Sequence, residues 1–112
     1  MKLVTAVIKP HMVEAVTDAL HSIDVEGITL TEVRGHGRQR GHTEVFRGAE
    51  YRVDFLPKMR VEVVTDDSNA TKVAETIMGA ARSGKIGDGK IWVSNVDTIW
   101  RIRTGEVDHE AL

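Results

Sequence analysis

The stretch "KMRVEVVTDDSNATKVAETIMGAA" (58–81) decides the fold. Its opening alternates: Met59, Val61 and Val63 fall on one side and Lys58, Arg60 and Glu62 on the other, the period-two pattern of a strand buried on one face. "DDSNA" then offers side chains able to cap a helix. Ala70, Val73, Ala74, Ile77 and Ala81 follow along one apolar helical stripe, and Gly84 is placed to end it. "KIWVSNV" (90–96) supplies the next strand, and "TIWRIR" (98–103) reads as a short further one. The unit is strand, helix, strand.

The same order occurs upstream. "KLVTAVIK" (2–9) is rich in β-branched residues and too short for a helix, so it reads as a buried strand. Pro10 suits the first turn of a helix. Val13, Val16, Leu20 and Ile23 make its apolar stripe, which stops before Gly27. "GITLTEV" (27–33) is again strand-like. Two such units in 112 residues predict a single α+β domain over 1–112: a ferredoxin-like βαββαβ sandwich with both helices on one face of one sheet. The other face needs a cover. With Val, Ile and Trp abundant in the strands, self-association is the simplest one.

Between the second and third strands lies "GHGRQRGHTEVFRGAEYRVDF" (35–55), which carries glycines at 35, 37, 41 and 48 and no apolar stripe. It is predicted to be a long protruding loop. From Arg34 to Lys58 there are six Lys/Arg and three Asp/Glu, against 15 and 17 in the whole chain, so positive charge is gathered here. Loops longer than about 12–15 residues in compact domains are usually functional or disordered.

Composition narrows the function. An apolar content of 41% and a charged content of 29% describe an ordinary globular chain. The net charge of −2 argues against general nucleic-acid binding, which rests on a basic footprint. Without cysteine there is neither a disulfide framework nor a thiolate metal site. No apolar run approaches the ~20 residues that span a bilayer, and "MKLVTAVIKP" lacks a small-residue cleavage signature. A cytoplasmic location is the expectation. His11, His21, His36, His42 and His109 have no metal-ligand spacing and read as surface or loop residues. No Ser/His/Asp set is recognisable.

Three features favour an anion. "GKIGDGK" (84–90) has the spacing of a phosphate loop, but Ile91 stands where the Mg²⁺-binding hydroxyl belongs, and a helix precedes rather than follows. It is not a Walker site. Either it is a helix end and a turn, or its glycines form an anion nest with Lys90 beside it. "GHGRQRG" (35–41) is a near-match to a dinucleotide fingerprint and by itself reads as a hinge. Arg101 and Arg103 stand two apart in an expected strand, which puts both on one face, either as a surface pair or around an anion. Together the three point to a polyphosphate ligand.

The blocks "GRQRGHTEV" (37–45), "FRGAEY" (46–51), "VDFLPK" (53–58), "SGKIGDGKIWV" (83–93) and "RIRTGE" (101–106) resemble the PII nitrogen-regulatory signal-transduction family, in order and over nearly the whole chain. The resemblance implies the same ferredoxin-like fold, with residues about 37–55 as the family's mobile T-loop. It implies a homotrimer with nucleotide sites in the clefts between subunits. Thr29, Gly35, Gly37, Arg38, Glu62 and Val64 would surround ATP or ADP from one subunit. Gly87, Asp88, Gly89, Lys90, Arg101 and Arg103 would complete the phosphate end, some of them from the neighbour. Gln39 would reach the Mg²⁺ held by ATP. The effector 2-oxoglutarate would bind that ion and the loop base at Gly37, Gln39, Arg40 and Gly41, with Lys58 pairing to its distal carboxylate.

Tyr51 occupies the position that is nucleotidylated in many members, which implies a nucleotidyltransferase as one partner. An ammonium transporter, enzymes and regulators of nitrogen assimilation are the other partners implied, a transporter recruiting the protein to the membrane. The chain departs from the pattern at Phe46, where Tyr is usual, at His11 and His36, which replace aromatic or apolar residues, and at Arg40, where Lys is commoner. Ala49 leaves no hydroxyl where some members carry a phosphorylated serine.

The reading is therefore a sensor of energy and of carbon and nitrogen state, not an enzyme beyond slow ATP turnover. Two rival readings compete with it. Ferredoxin-like sheets bind RNA through exposed aromatics, but an aromatic content of 4% and the acidic balance count against that. A nucleotide hydrolase needs a general base, and no residue stands out as one.

Overall fold

A computed structural model of the chain describes residues 1–36, 42–46, 49–53 and 55–112, the segments 42–46 and 49–53 through their backbone. The strands are β1 (Lys2–Ile8), β2 (Thr29–Gly35), β3 (His42–Phe46), β4 (Ala49–Val53), β5 (Leu56–Thr65) and β6 (Lys90–Asn95). The helices are α1 (Val13–Ser22) and α2 (Ala70–Ala81), each entered through a single turn of 3-10 helix, Pro10–Met12 and Asp67–Asn69.

The main sheet has the order β2-β5-β1-β6, every neighbour antiparallel. β5 lies between β1 and β2, so the first strand–helix–strand unit is split by a strand of the second. That interleaving is the ferredoxin-like topology read from the sequence. Both predicted stripes are buried. Val16 and Leu20 of α1 and Ala70, Val73, Ile77 and Ala81 of α2 pack on Val4, Ala6 and Ile8 of β1 and on Val61 and Val63 of β5.

The opposite face of the sheet is less apolar than expected. The register lines up Thr29, Glu62, Thr5 and Trp92 across all four strands, and next to them Thr31, Arg60, Val7 and Lys90. Arg60 Nε lies 3.2 Å from Glu62 Oε1, yet out of line for a hydrogen bond to it. A cover for this face has to satisfy charge as well as bury Trp92, which is 48% exposed.

Five sequence expectations are corrected. The stretch 35–55 is not all irregular: β3 and β4 pair as a separate two-stranded hairpin, His42 opposite Val53 and Phe46 opposite Ala49. The period-two placement of Thr43, Val45, Tyr51 and Val53 suits strands, and a local hairpin needs no stripe facing the core. β2 begins at Thr29 rather than Gly27 and runs on to Gly35, because β5 extends back to Leu56 and offers it partners.

"TIWRIR" is not a strand: a single bridge joins Trp100 to Val107. The Gly105 N–H donates to Arg101 O at 2.8 Å and the Arg101 N–H to Glu106 O at 2.9 Å, closing a tight turn. Gly105, at φ +72°, permits that reversal. The same-face argument for Arg101 and Arg103 therefore falls. Finally, "DDSNA" forms no side-chain cap on α2. Asp66 is instead paired with His109 Nδ1 at 2.8 Å. Gly84, read as the helix end, comes after the chain has already turned extended at Arg82.

Candidate functional site

The C-terminal end of β1 carries a loop held by several hydrogen bonds. Residues 82–89 leave α2 and must return to start β6 beside β1. Gly84, Gly87 and Gly89 take φ values of +80°, +94° and +102°, open to glycine and strained for other residues. Gly89 has a second constraint: a Cβ there would stand 1.7 Å from the carbonyl oxygen of Val7. The turn lies directly on the backbone of β1.

One carboxylate organises this turn. Asp88 Oδ2 accepts the Ser83 N–H at 2.8 Å and the Gly84 N–H at 2.9 Å, and Oδ1 accepts the Ser83 hydroxyl. Lys9, the residue after β1, places its Nζ 3.3 Å from Asp88 Oδ1 and 3.3 Å from Ser83 Oγ. The hydrogen bonds from Ser83 come first among the causes that hold the Asp88 carboxyl far below the usual carboxylate range, with Gly84 and Lys9 adding to them. With its oxygens so engaged, Asp88 builds the loop from within. A bare carboxylate would repel a phosphate.

Lys58 enters from β5. Its Nζ donates to Gly87 O at 2.9 Å. Partial burial, reinforced by the charge of Lys9 and opposed by that of Asp88, lowers its pKa below the ordinary lysine value. A Cβ at Gly35 would touch Lys58 Cγ at 3.4 Å, so the last rung of β2 also reaches this cluster. The structure thus brings Gly35, Lys58, Gly87, Asp88 and Gly89 together at one end of the sheet, with Lys90 at the start of β6 next to them.

A second group sits at the other end of β5. Thr29 and Glu62 are cross-strand partners. With Val64 they line an open groove of about 990 Å³, whose wall includes Ile28, Trp100 and Leu112. The lining mixes these apolar side chains with polar and charged ones, among them Asp24, Asp66 and Lys72, the kind of mixed surface that can orient a polar ligand. Four residues of strand separate Glu62 from Lys58, about 13 Å at 3.3 Å per residue, so within one chain the two groups are apart.

Arg101 borders the groove through its neighbour Trp100. Its guanidinium donates to Leu112 O at 2.5 Å and lies 3.7 Å from Glu106 Oε1, while Arg103 is exposed on the turn. Gly37, Arg38, Gln39, Arg40 and Gly41 lie outside the described residues. Tyr51 falls on β4 opposite Glu44 in the backbone register. Among the described residues no cluster of three or more His, Cys, Asp or Glu could hold a metal ion, and no helix is long and apolar enough to cross a membrane.

Sequence reasoning missed Lys9 and Ser83. Neither carries a local signal for its role, since Lys9 is separated from Asp88 by most of the chain. The Ser83–Asp88 spacing within a glycine-rich turn was the one visible hint.

Comparison with known proteins gives a consistent result. The sequence profile described as nitrogen regulatory protein P-II matches residues 1–106. The chain is similar to the nitrogen regulatory protein P-II of Rhizobium meliloti (strain 1021), 56% identical over 112 residues and all of both chains. It is 53% identical to the P-II protein of Azospirillum brasilense and 53% identical to nitrogen regulatory protein GlnK of Escherichia coli (strain K12), again over the whole of each chain.

Proposed function

This chain belongs to the nitrogen regulatory protein P-II family, and from that premise we propose how its geometry serves as a sensor. It is a regulatory protein of nitrogen signal transduction rather than an enzyme. The proposed effectors are ATP or ADP, Mg²⁺ and 2-oxoglutarate. The groove beside Thr29, Glu62 and Val64 takes the nucleoside, and the turn at 87–90 takes phosphates. Arg101 and Arg103 complete the phosphate end once released from their turn.

The observation that carries this reading is the bond from Lys58 Nζ to Gly87 O at 2.9 Å. It joins the residue proposed to hold the keto-acid to the turn proposed to hold phosphate, so occupancy of one bears on the other. Gln39, with Arg40 and the glycines at 37 and 41, is assigned to the Mg²⁺ and the keto-acid at the base of the loop. The ion supplies oxygen coordination shared between phosphate and keto-acid. The residues about 37–55 then present a different surface to partners in each state. Those partners are an ammonium transporter or enzymes and regulators of nitrogen metabolism, with Tyr51 open to a nucleotidyltransferase.

In the proposed assembly a neighbouring chain brings some of the phosphate-end residues to the groove. A homotrimer of three 12.4 kDa chains has a mass of about 37 kDa. The test is a calorimetric titration of 2-oxoglutarate into protein with Mg-ATP, with Mg-ADP and with no nucleotide, at a concentration where light scattering reports the trimer. Tighter binding with Mg-ATP supports the reading, and linkage requires 2-oxoglutarate to tighten Mg-ATP by the same factor. Equal affinity in all three conditions, or a monomer by scattering, overturns it.

A further inference from the structure

We propose that Lys9 is a positioning residue of the anion site, acting through Asp88 rather than by touching a ligand. The inference rests on the reading of the 83–90 turn as a phosphate-binding element.

The argument starts from where the charge lies. Asp88 is the internal anion that shapes the turn, and a negative charge at that point opposes any phosphate brought to the neighbouring backbone N–H groups. Lys9 is the cation set against it, 3.3 Å away, with its side chain only 13% exposed. An enclosed ammonium needs polar or anionic partners, and here Asp88 and Ser83 provide them. The pair leaves the turn folded around a locally neutral centre. Lys58 on Gly87 and Lys90 at the turn's end, with the exposed Arg82 and Lys85 of the turn, then set the field that an anion meets.

Position along β1 adds to this. Val7, two residues before Lys9, is the carbonyl against which Gly89 lies. The end of β1 and the residue that follows it therefore seat the turn twice, by backbone contact at Val7 and by ion pair at Lys9. Lys9 is followed at once by Pro10, which fixes the direction of the chain into α1. The lysine stem is thereby held at a defined exit from the sheet. Burial first, and then the charge of Lys9, lower the pKa of Lys58, with Asp88 opposing them, so Lys9 and Lys58 interact at this end of the sheet.

The test is a double-mutant cycle on the full-length protein, using ADP as the probe and calorimetric affinity as the readout. Lys9→Gln weakens ADP binding about tenfold, because Asp88 is left uncompensated beside the phosphates. Lys9→Arg restores affinity to within about threefold of wild type, since charge and reach are kept. In an Asp88→Asn background, Lys9→Gln costs less than about twofold, because nothing is left there for the lysine to neutralise. That background also keeps the experiment decisive if Lys9→Gln alone folds poorly. Unchanged affinity in Lys9→Gln, or an equally large loss with and without Asp88, overturns the inference while leaving the nucleotide reading intact. Wild-type protein that binds no ADP overturns the nucleotide reading itself, and the inference with it.

Discussion

The two connections that run from a helix back to the sheet occupy equivalent places in the two halves of the fold, and they are held by opposite means. The first, Ile23–Ile28, is pinned by backbone bonds, with the Ile23 and Val25 N–H groups donating to Leu20 O and that of Asp24 to His21 O. It is also pinned by burial, since Ile23, Val25 and Ile28 pack against the core. The second, residues 82–89, buries little: Ile86, its one large apolar side chain, is 66% exposed. Glycine conformations and the Asp88 network hold it instead. A loop kept in place by burial turns its side chains inward. A loop kept in place by an internal carboxylate leaves its backbone and cations facing solvent, where a ligand can use them.

The hardest way to break this contrast is Gly89→Ala. The added Cβ meets the Val7 carbonyl at 1.7 Å from a φ of +102°, and the turn cannot stay seated on β1. A cost of about 4 kcal/mol or more is expected, read as a much lower denaturation midpoint or failure to fold. An alanine at 89 with wild-type stability would show that the turn does not depend on this approach.

Asp88→Asn attacks the same loop through its charge, and its effect depends on pH. The folded pKa of Asp88 is depressed. Its contribution is therefore fully present above the unfolded value of about 3.9 and lost as pH falls through the folded value, which lies lower still. At pH 7 the variant should melt below wild type, and the two melting curves should converge in acid. A gap of constant size from pH 7 to about pH 3 would mean that the carboxylate is not what holds the turn.

In the first connection the corresponding change is apolar. Val25→Ala should cost about 1–2 kcal/mol by chemical denaturation, from a partly buried side chain losing two methyl groups. The loss should not vary between pH 5 and 8. A pH-dependent loss like that of Asp88→Asn would erase the distinction between the loops.

The smallest expected effect is a gain. Asp24, just past the C-cap of α1, has a φ of +66°, the left-handed position that glycine fills at lower cost. Asp24→Gly should stabilise the protein by about 0.5–1 kcal/mol. A loss of stability would show that Asp24 makes a contribution beyond its backbone conformation.

Much of this architecture was legible beforehand because it rests on local periodicity. The alternation at 58–64 and the stripes at 13–23 and 70–81 are repeats within one element, and they came out as buried faces. Positive-φ glycines at 84, 87 and 89 were visible as a turn for the same reason. "TIWRIR" misled because its β-branched and aromatic content argues for a strand, whereas the turn through Gly105 closes it on itself. The hairpin at 42–53 went unread because its strands pair only with each other, apart from the four strands of the main sheet.

By itself, then, the sequence determined which segments are strands and helices around one core, and through its ordered motif blocks the family to which the chain belongs. Only the tertiary structure decided that Lys9 clamps Asp88, that Lys58 reaches Gly87, and that the groove beside Thr29, Glu62 and Val64 lies at the opposite end of β5 from the 82–89 turn. The physical reason is range. Periodicity and turn chemistry act over a few residues, while an ion pair between positions 9 and 88 exists because β1 and β6 lie side by side in the sheet, a neighbourhood that no local pattern encodes.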